Sequence, residues 1–425
     1  MAPDSVPALD EIDLSDLEFW ARPWSEREGA FQLLRRERPL AFFEEPDITG
    51  TSALAPPPGP GYRAVTRHAD VAEVSRHPEI YCSGRGAVSI LDLPPEMVEY
   101  FAGMISTDNP RHARLRRIVS AAFNPRRIES IEESIEEVAD RVIARASGLG
   151  ECDFATEIAA PFPLEIICDM MGVPPSQYAT VLRCSNIILS GGDPEYVPEG
   201  SDPVLAFVQA GQELTDLMNE LSAYRVDNPV DDLTTALITT NIDGEALTSG
   251  ELASFFILLL TAGNETTRNS ISHALVALTE HPDQRALWQA DPTTVAATGV
   301  DEIVRWASPV IWMRRTVTGD TVLSGEALHE GDKVLLFYNS ANRDEEVFED
   351  PYTFDVRRSP NPHFGFGAAG PHFCLGAHLA RREIDVMVRE LLARLPDIEA
   401  AGQPDRLLSN FINGIKHLPC RFTPT

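Results

Sequence analysis

The sequence predicts a mainly α-helical protein with a smaller β-rich part. Three observations predict it. Helical apolar spacing runs over about 70–306 and resumes over about 375–394. Alternating residues punctuated by Gly319, Gly325 and Gly331 fill 310–337, the pattern of short strands. No linker composition separates two cores, so 21–425 reads as one unit of a 425-residue chain.

Taken in order, residues 1–20 carry Asp4, Asp10, Glu11, Asp13, Asp16 and Glu18 and read as a loose acidic arm. Residues 40–66 hold the turn run 55–61, rich in proline and glycine, between short apolar runs that suit strands. The helical region breaks at Pro110, Pro125, Pro174-Pro175, Pro229 and Pro282. Its last third contains a helix of about 30 residues. Thr248 and Glu251 have the spacing of a capping box at its start, and His281-Pro282 ends it. Strands return over 310–337, and 407–423 reads as a final strand–turn.

The charge balance excludes several functions. With 35 basic and 65 acidic residues the net charge is −30, so nucleic acid and anionic membrane surfaces are poor partners. The first 20 residues lack a basic region followed by an apolar one, so no secretory signal is visible. The longest apolar stretch, 252–262, is far short of the ~20 residues that span a bilayer. Six cysteines without a CxxC pair argue against a disulfide framework or a zinc site and fit a reducing cytosol.

One stretch carries most of the chemistry. Gly365, Gly367 and Gly370 precede His372, Cys374 and Gly376, and a helical pattern starts directly behind them. A cysteine on a glycine-rich turn at a helix N-terminus is placed to become a thiolate, because the helix end favours the anion. Glycines let the backbone lie close to a flat ligand. A thiolate-ligated haem iron needs such a turn.

Other stretches supply polar groups. Gly263 in mid-helix is unfavourable by ~1 kcal/mol against alanine, which suits a flat ligand pressed on that face. Glu265 and Thr266 beside it form an acid–alcohol pair able to relay protons. Read blandly, Thr266 bonds back to its own helix and Glu265 faces solvent. Glu302 and Arg305 lie on one helix face. His112 and Arg116 share another, within a run of six arginines and no acid over 109–128.

These residues resemble the motifs of the cytochrome P450 family along nearly the whole chain. The stretch 363–376 resembles its haem-binding loop, although Phe366 stands eight residues before Cys374 where seven is usual. Residues 262–267 resemble the family's distal helix, and Glu302-x-x-Arg305 its structural pair, joined by Arg358. The resemblance implies a P450 fold: a helix-rich triangular prism with haem b between the long distal helix and the proximal cysteine loop. Cys374 becomes the iron ligand. Ala262, Gly263, Phe366, Gly367 and Gly376 become haem neighbours, and His112, Arg116, Arg315 and His372 become propionate partners. Thr266 and Glu265 become the proton relay. Thr261, Ala262, Val310, Ile311, Phe411 and Ile412 become the substrate pocket, with further apolar groups from 88–91 and 101–104.

Four segments, 166–172, 262–269, 305–310 and 407–419, resemble the bacterial branch that hydroxylates methyl-branched lipids and sterol side chains. That implies a cytoplasmic, monomeric monooxygenase acting on a hydrophobic small molecule with O2. Electrons then come from NAD(P)H through a reductase and a ferredoxin, since the chain shows no flavin or pyridine-nucleotide motif. Arg111, Arg114, Arg117, Arg126 and Arg127 are the expected docking patch. A hydroxylase of another apolar natural product, such as a terpenoid or polyketide, is an alternative. So is a peroxide-driven peroxygenase, but those relatives commonly carry Arg-Pro where this chain has the acid–alcohol pair. A haem sensor or lipid carrier is the non-enzymatic alternative, and it has no need of that pair.

Overall fold

The computed structural model describes residues 8–123, 125–197 and 200–425, without the side chains of 102 and 125–130. Its axis is the helix Ser249–Glu280. The capping box closes as its spacing predicts. Glu251 N–H donates to Thr248 Oγ1 (3.2 Å) and Thr248 N–H to Glu251 Oε2 (3.0 Å), satisfying two end groups that the helix leaves open. The helix stops at His281, where Pro282 opens the next one. Helices Pro95–Ala102, Pro161–Met171, Pro203–Asp227, Pro292–Ala307 and Ala377–Arg394 pack around it. The first four each begin with proline, whose missing N–H is no loss at a first turn. Of the prolines read as breaks, Pro125 and Pro282 likewise begin α-helices.

The main sheet orders its strands Phe42–Phe43, Tyr62–Val65, Lys333–Phe337, Trp312–Val317 and Tyr81–Cys82. Only Tyr62–Val65 and Lys333–Phe337 run parallel. The β-rich part therefore joins 40–66 to 310–337 and adds 81–82. The end of the chain does not join it. Pro419–Arg421 lies between Glu151–Asp153 and Glu399–Ala400, and Ile415–His417 pairs with Asp405–Arg406.

The acidic N-terminal segment corrects its sequence reading. Residues 1–7 lie outside the described residues. From Leu9 onward the chain is tied down: Ile12, Leu14, Phe19 and Trp20 are buried in one apolar cluster with Phe31 and Phe337. Trp20 Nε1 donates to the Leu14 carbonyl (3.0 Å), and Phe19 meets Trp20 edge-on at 5.2 Å. Asp10, Glu11, Asp13, Asp16 and Glu18 face outward and mask an apolar face.

No helix among the described residues is long and apolar enough to cross a membrane.

Candidate active site

A cavity of about 410 Å3 lies between the long helix and the cysteine turn. Local geometry brings Cys374 to its wall. Gly367 takes a left-handed conformation (φ 82°), open to glycine at little cost, and Cys374 N–H donates to the Phe366 carbonyl (2.9 Å). The longer turn rests on the end of helix His68–Arg76, where a Cβ at Gly370 would run into the Ser75 carbonyl. Behind it the helix Ala377–Arg394 starts from Gly376. Burial pushes the Cys374 thiol up, while the Gly376 N–H and the fields of Arg116 and Arg381 pull it down. Phe366, Gly367, His372 and Gly376 line the same wall. The Arg381 guanidinium sits 4.3 Å from the Phe366 ring centre.

One side of the cavity is cationic. His112, Arg116, Arg315 and His372 all line it, and the His112 and His372 rings are 4.2 Å apart. Arg116 Nη1 donates to the Pro371 carbonyl (3.0 Å) and Arg315 Nη1 to the Arg314 carbonyl (2.7 Å). Among the described residues neither arginine has a carboxylate partner. Burial pulls Arg315 down from its usual value. Burial, with Arg315, His112 and Arg116 near, pulls His372 down to about 2. Burial and Arg116 lower His112. A buried guanidinium without a counter-charge is costly, so this wall calls for an anionic ligand. A planar group with two carboxylates at one edge, metal facing a thiol, fits it.

The opposite wall is the long helix. Ala262, Gly263 and Thr266 line the cavity, with Phe255, Leu258 and Leu259 on earlier turns of the same face. Thr266 Oγ1 donates to the Ala262 carbonyl (2.7 Å), so the hydroxyl faces the cavity while bonded to its own helix. Gly263 has a second reason to be small: a Cβ there would sit 2.5 Å from Ile167 Cδ1, which also lines the cavity.

Glu265 points away. It is buried, paired with Arg268 and accepting from Asn269 Nδ2 (3.0 Å), and Arg268 reaches on to Asn186 (3.0 Å). Among the described residues its Oε2 has no hydrogen-bond partner. This is neither the solvated face of the bland reading nor direct contact with the cavity. Glu383, which the sequence reading missed, does line the cavity, and burial pushes it up to about 8 against a hydrogen bond with Thr267.

The apolar end corrects the expected substrate pocket. Ala262 and Val310 line it. Thr261 is buried with its hydroxyl on the Ile257 carbonyl (2.8 Å). Ile311 and the Phe411 ring pack in the N-terminal cluster, and Ile412 is buried opposite Val310. None of these four lines the cavity. Strand alternation explains it: Val310 faces in, Ile311 out. Met104, from the expected stretch 101–104, does line the cavity, and Ile105, Ile167, Met170 and Met313 join it. Ile90, from the stretch expected above the ligand, packs in the N-terminal cluster.

The structural network assembles as the spacing implies. Glu302 and Arg305 are both fully buried, joined by two hydrogen bonds of 2.7 Å, and Arg358 Nε lies 3.2 Å from Glu302 Oε2. Arg305 also holds the carbonyls of Asn342, Pro351 and Thr353, and Asn342 Oδ1 in turn receives the Phe364 N–H at the start of the cysteine turn.

The expected docking patch is not an open one. Arg111 pairs with Glu99 (2.6 Å), Arg114 with Glu251 (2.9 Å) and Arg117 with Glu245 (2.6 Å). The side chains of residues 126 and 127 lie outside the described set.

Comparison with known proteins agrees with this geometry. The signature of the family "Cytochrome P450" matches residues 207–396. The chain is 47% identical over 420 residues to "Methyl-branched lipid omega-hydroxylase" of Mycobacterium tuberculosis, covering 98% of this chain and 96% of that one. It is 39% identical over 394 residues to "Steroid C26-monooxygenase" of Mycolicibacterium smegmatis, covering 92% and 89%. Among solved structures, a Mycobacterium marinum cytochrome P450 in complex with pseudoionone superimposes with TM-score 0.91 at 42% identity, covering 98% of this chain and all of that one.

Proposed function

Because the chain belongs to the cytochrome P450 family and is a monooxygenase, we propose that it hydroxylates the terminal methyl of a long, methyl-branched apolar chain. One observation carries the reading. Away from its cationic side the cavity is lined by Phe255, Leu258 and Leu259 of the long helix and by Met104, Val310 and Met313, all apolar. A chain held there gains ~25 cal/mol per Å2 of apolar surface buried and little polar steering, so shape must select the carbon. Likeness to relatives named for methyl-branched lipids, and to steroid C26-monooxygenases, favours a branched chain end, either of a lipid or of a sterol side chain.

Haem bound by Cys374 supplies oxygen activation: one atom of O2 enters the C–H bond and the other leaves as water. The protein's own residues do the rest. Arg116, Arg315, His112 and His372 hold the carboxylate edge. Thr266 lines the cavity with its hydroxyl and would pass on a proton there once released from the Ala262 carbonyl, and Glu265, held behind it by Arg268 and Asn269, would resupply that proton through a side-chain swing or a bridging water. Electrons arrive from NAD(P)H through a reductase and a ferredoxin. The ferredoxin docks beside Phe373, an exposed aromatic next to Cys374.

Product analysis with a methyl-branched fatty acid, its straight-chain counterpart and a sterol tests this. Terminal alcohol from the branched substrates is expected. Val310→Ala should move oxidation inward, whereas Ile311→Ala, outside the cavity, should leave the position unchanged. Preference for the straight chain, or mainly in-chain alcohols from the wild type, overturns the substrate assignment.

A further inference from the structure

Two cysteines away from the cavity face each other across the small sheet at the end of the chain. Glu151–Asp153 runs antiparallel to Pro419–Arg421, in a register that sets Cys152 directly opposite Cys420. Their Sγ atoms are 3.5 Å apart, and both are free thiols. Two residues away on either side, Phe154 N–H donates to the Leu418 carbonyl and Phe422 N–H to the Gly150 carbonyl, each 2.8 Å. Alternation along the ladder makes Cys152–Cys420 a hydrogen-bonded pair, whose Cα atoms stand ~5.5 Å apart. That lies within the ~4.4–6.8 Å that a disulfide spans. Asp153 fixes the register from the next position: its carboxylate accepts the Leu418 N–H (2.9 Å) and pairs with His417. Cys420 is buried, and Cys152 is half-buried, open to a small oxidant.

We propose that Cys152 and Cys420 form a redox-active dithiol that closes reversibly to a cross-strand disulfide under a two-electron oxidant of the peroxide class. The Cys152 thiolate attacks one peroxide oxygen, the O–O bond breaks, and the leaving hydroxide takes a proton to become water. The Cys420 sulfur then attacks the Cys152 sulfenic acid, the S–O bond breaks, and a second water leaves with the Cys420 proton. Two thiols are oxidised and one peroxide is reduced to two waters. The order of events follows from the pair itself. Cys152 is the more exposed of the two sulfurs and meets the oxidant first, and its hydrogen bond with Cys420 draws its thiol down. The cross-link joins residues 268 apart in sequence and encloses both the long helix and Cys374, the kind of closure that most restricts an unfolded chain.

Holoenzyme treated with diamide, and separately with low hydrogen peroxide, is alkylated with iodoacetamide, digested and mapped by mass spectrometry. The expected product of both treatments is one peptide linking Cys152 to Cys420, two hydrogens lighter than the sum of its parts. It should vanish with dithiothreitol and be missing in Cys152→Ser and in Cys420→Ser. Separate alkylation of both cysteines after oxidant, sulfinic acid at Cys152 without a link, or a link from Cys152 to any other cysteine overturns the proposal.

Discussion

Replacing Glu302 by glutamine should unfold the proximal side of the protein. The carboxylate accepts from Arg305 Nε and Nη2 (both 2.7 Å), the Asp355 N–H (3.0 Å) and Asn361 Nδ2 (3.2 Å), and pairs with Arg358 Nε at 3.2 Å. Glu302 and Arg305 have no exposed surface. Glutamine keeps one acceptor oxygen, turns the other into a donor facing donors, and leaves two guanidinium groups without a counter-charge. Breaking one side of a buried pair costs ~3–5 kcal/mol. That is a large part of the ~5–15 kcal/mol typical of a folded domain. The damage should spread to the haem, because Arg305 holds the Asn342 carbonyl and Asn342 holds the Phe364 N–H. Urea unfolding followed by circular dichroism and by the haem band should show both losses together. Arg358→Ala, which leaves the Glu302–Arg305 pair intact, should lose at most ~2 kcal/mol. A loss below ~1 kcal/mol in Glu302→Gln, with haem retained, refutes the reasoning.

Two further predictions concern protons. Thr266→Ala removes one of the cavity-lining hydroxyls of the long helix, leaving those of Thr267 and Ser270, so substrate should still bind while NAD(P)H consumption yields peroxide in place of product; unchanged coupling removes Thr266 from the relay. Glu383 holds its proton to about pH 8 when folded, against 4.5 as its ordinary value, so the folded state binds more protons between those limits and loses stability as pH rises through them. That slope is worth up to ~5 kcal/mol and should flatten in Glu383→Gln; equal slopes in the two proteins remove Glu383 as its source.

What could be read from the sequence was mostly local. Thr248, Glu251 and His281 bound the long helix through contacts within a turn. The Cys374 turn is set by glycines a few residues away. The Glu302–Arg305 pair is one helical turn long. What failed depended on distance or facing. The acid-spotted first 20 residues hid Leu14, Phe19 and Trp20, which find their cover in the cluster with Phe31 and Phe337. The charges of Arg111, Arg114 and Arg117 are matched by Glu99, Glu251 and Glu245; the last two lie more than a hundred residues on. Two misses were avoidable. Phe255, Leu258 and Leu259 share the 3.6-residue face of Ala262, and Arg268 stands one turn from Glu265, where an ion pair forms on the same helix.

The central claim is that Cys374 is the thiolate ligand of a haem, and the spectrum of the reduced protein with carbon monoxide tests it most directly. The account predicts the red-shifted Soret band of thiolate ligation in the wild type and its loss in Cys374→Ala. A wild-type band at the position of nitrogen-ligated haem, or an unchanged band in Cys374→Ala, would contradict it.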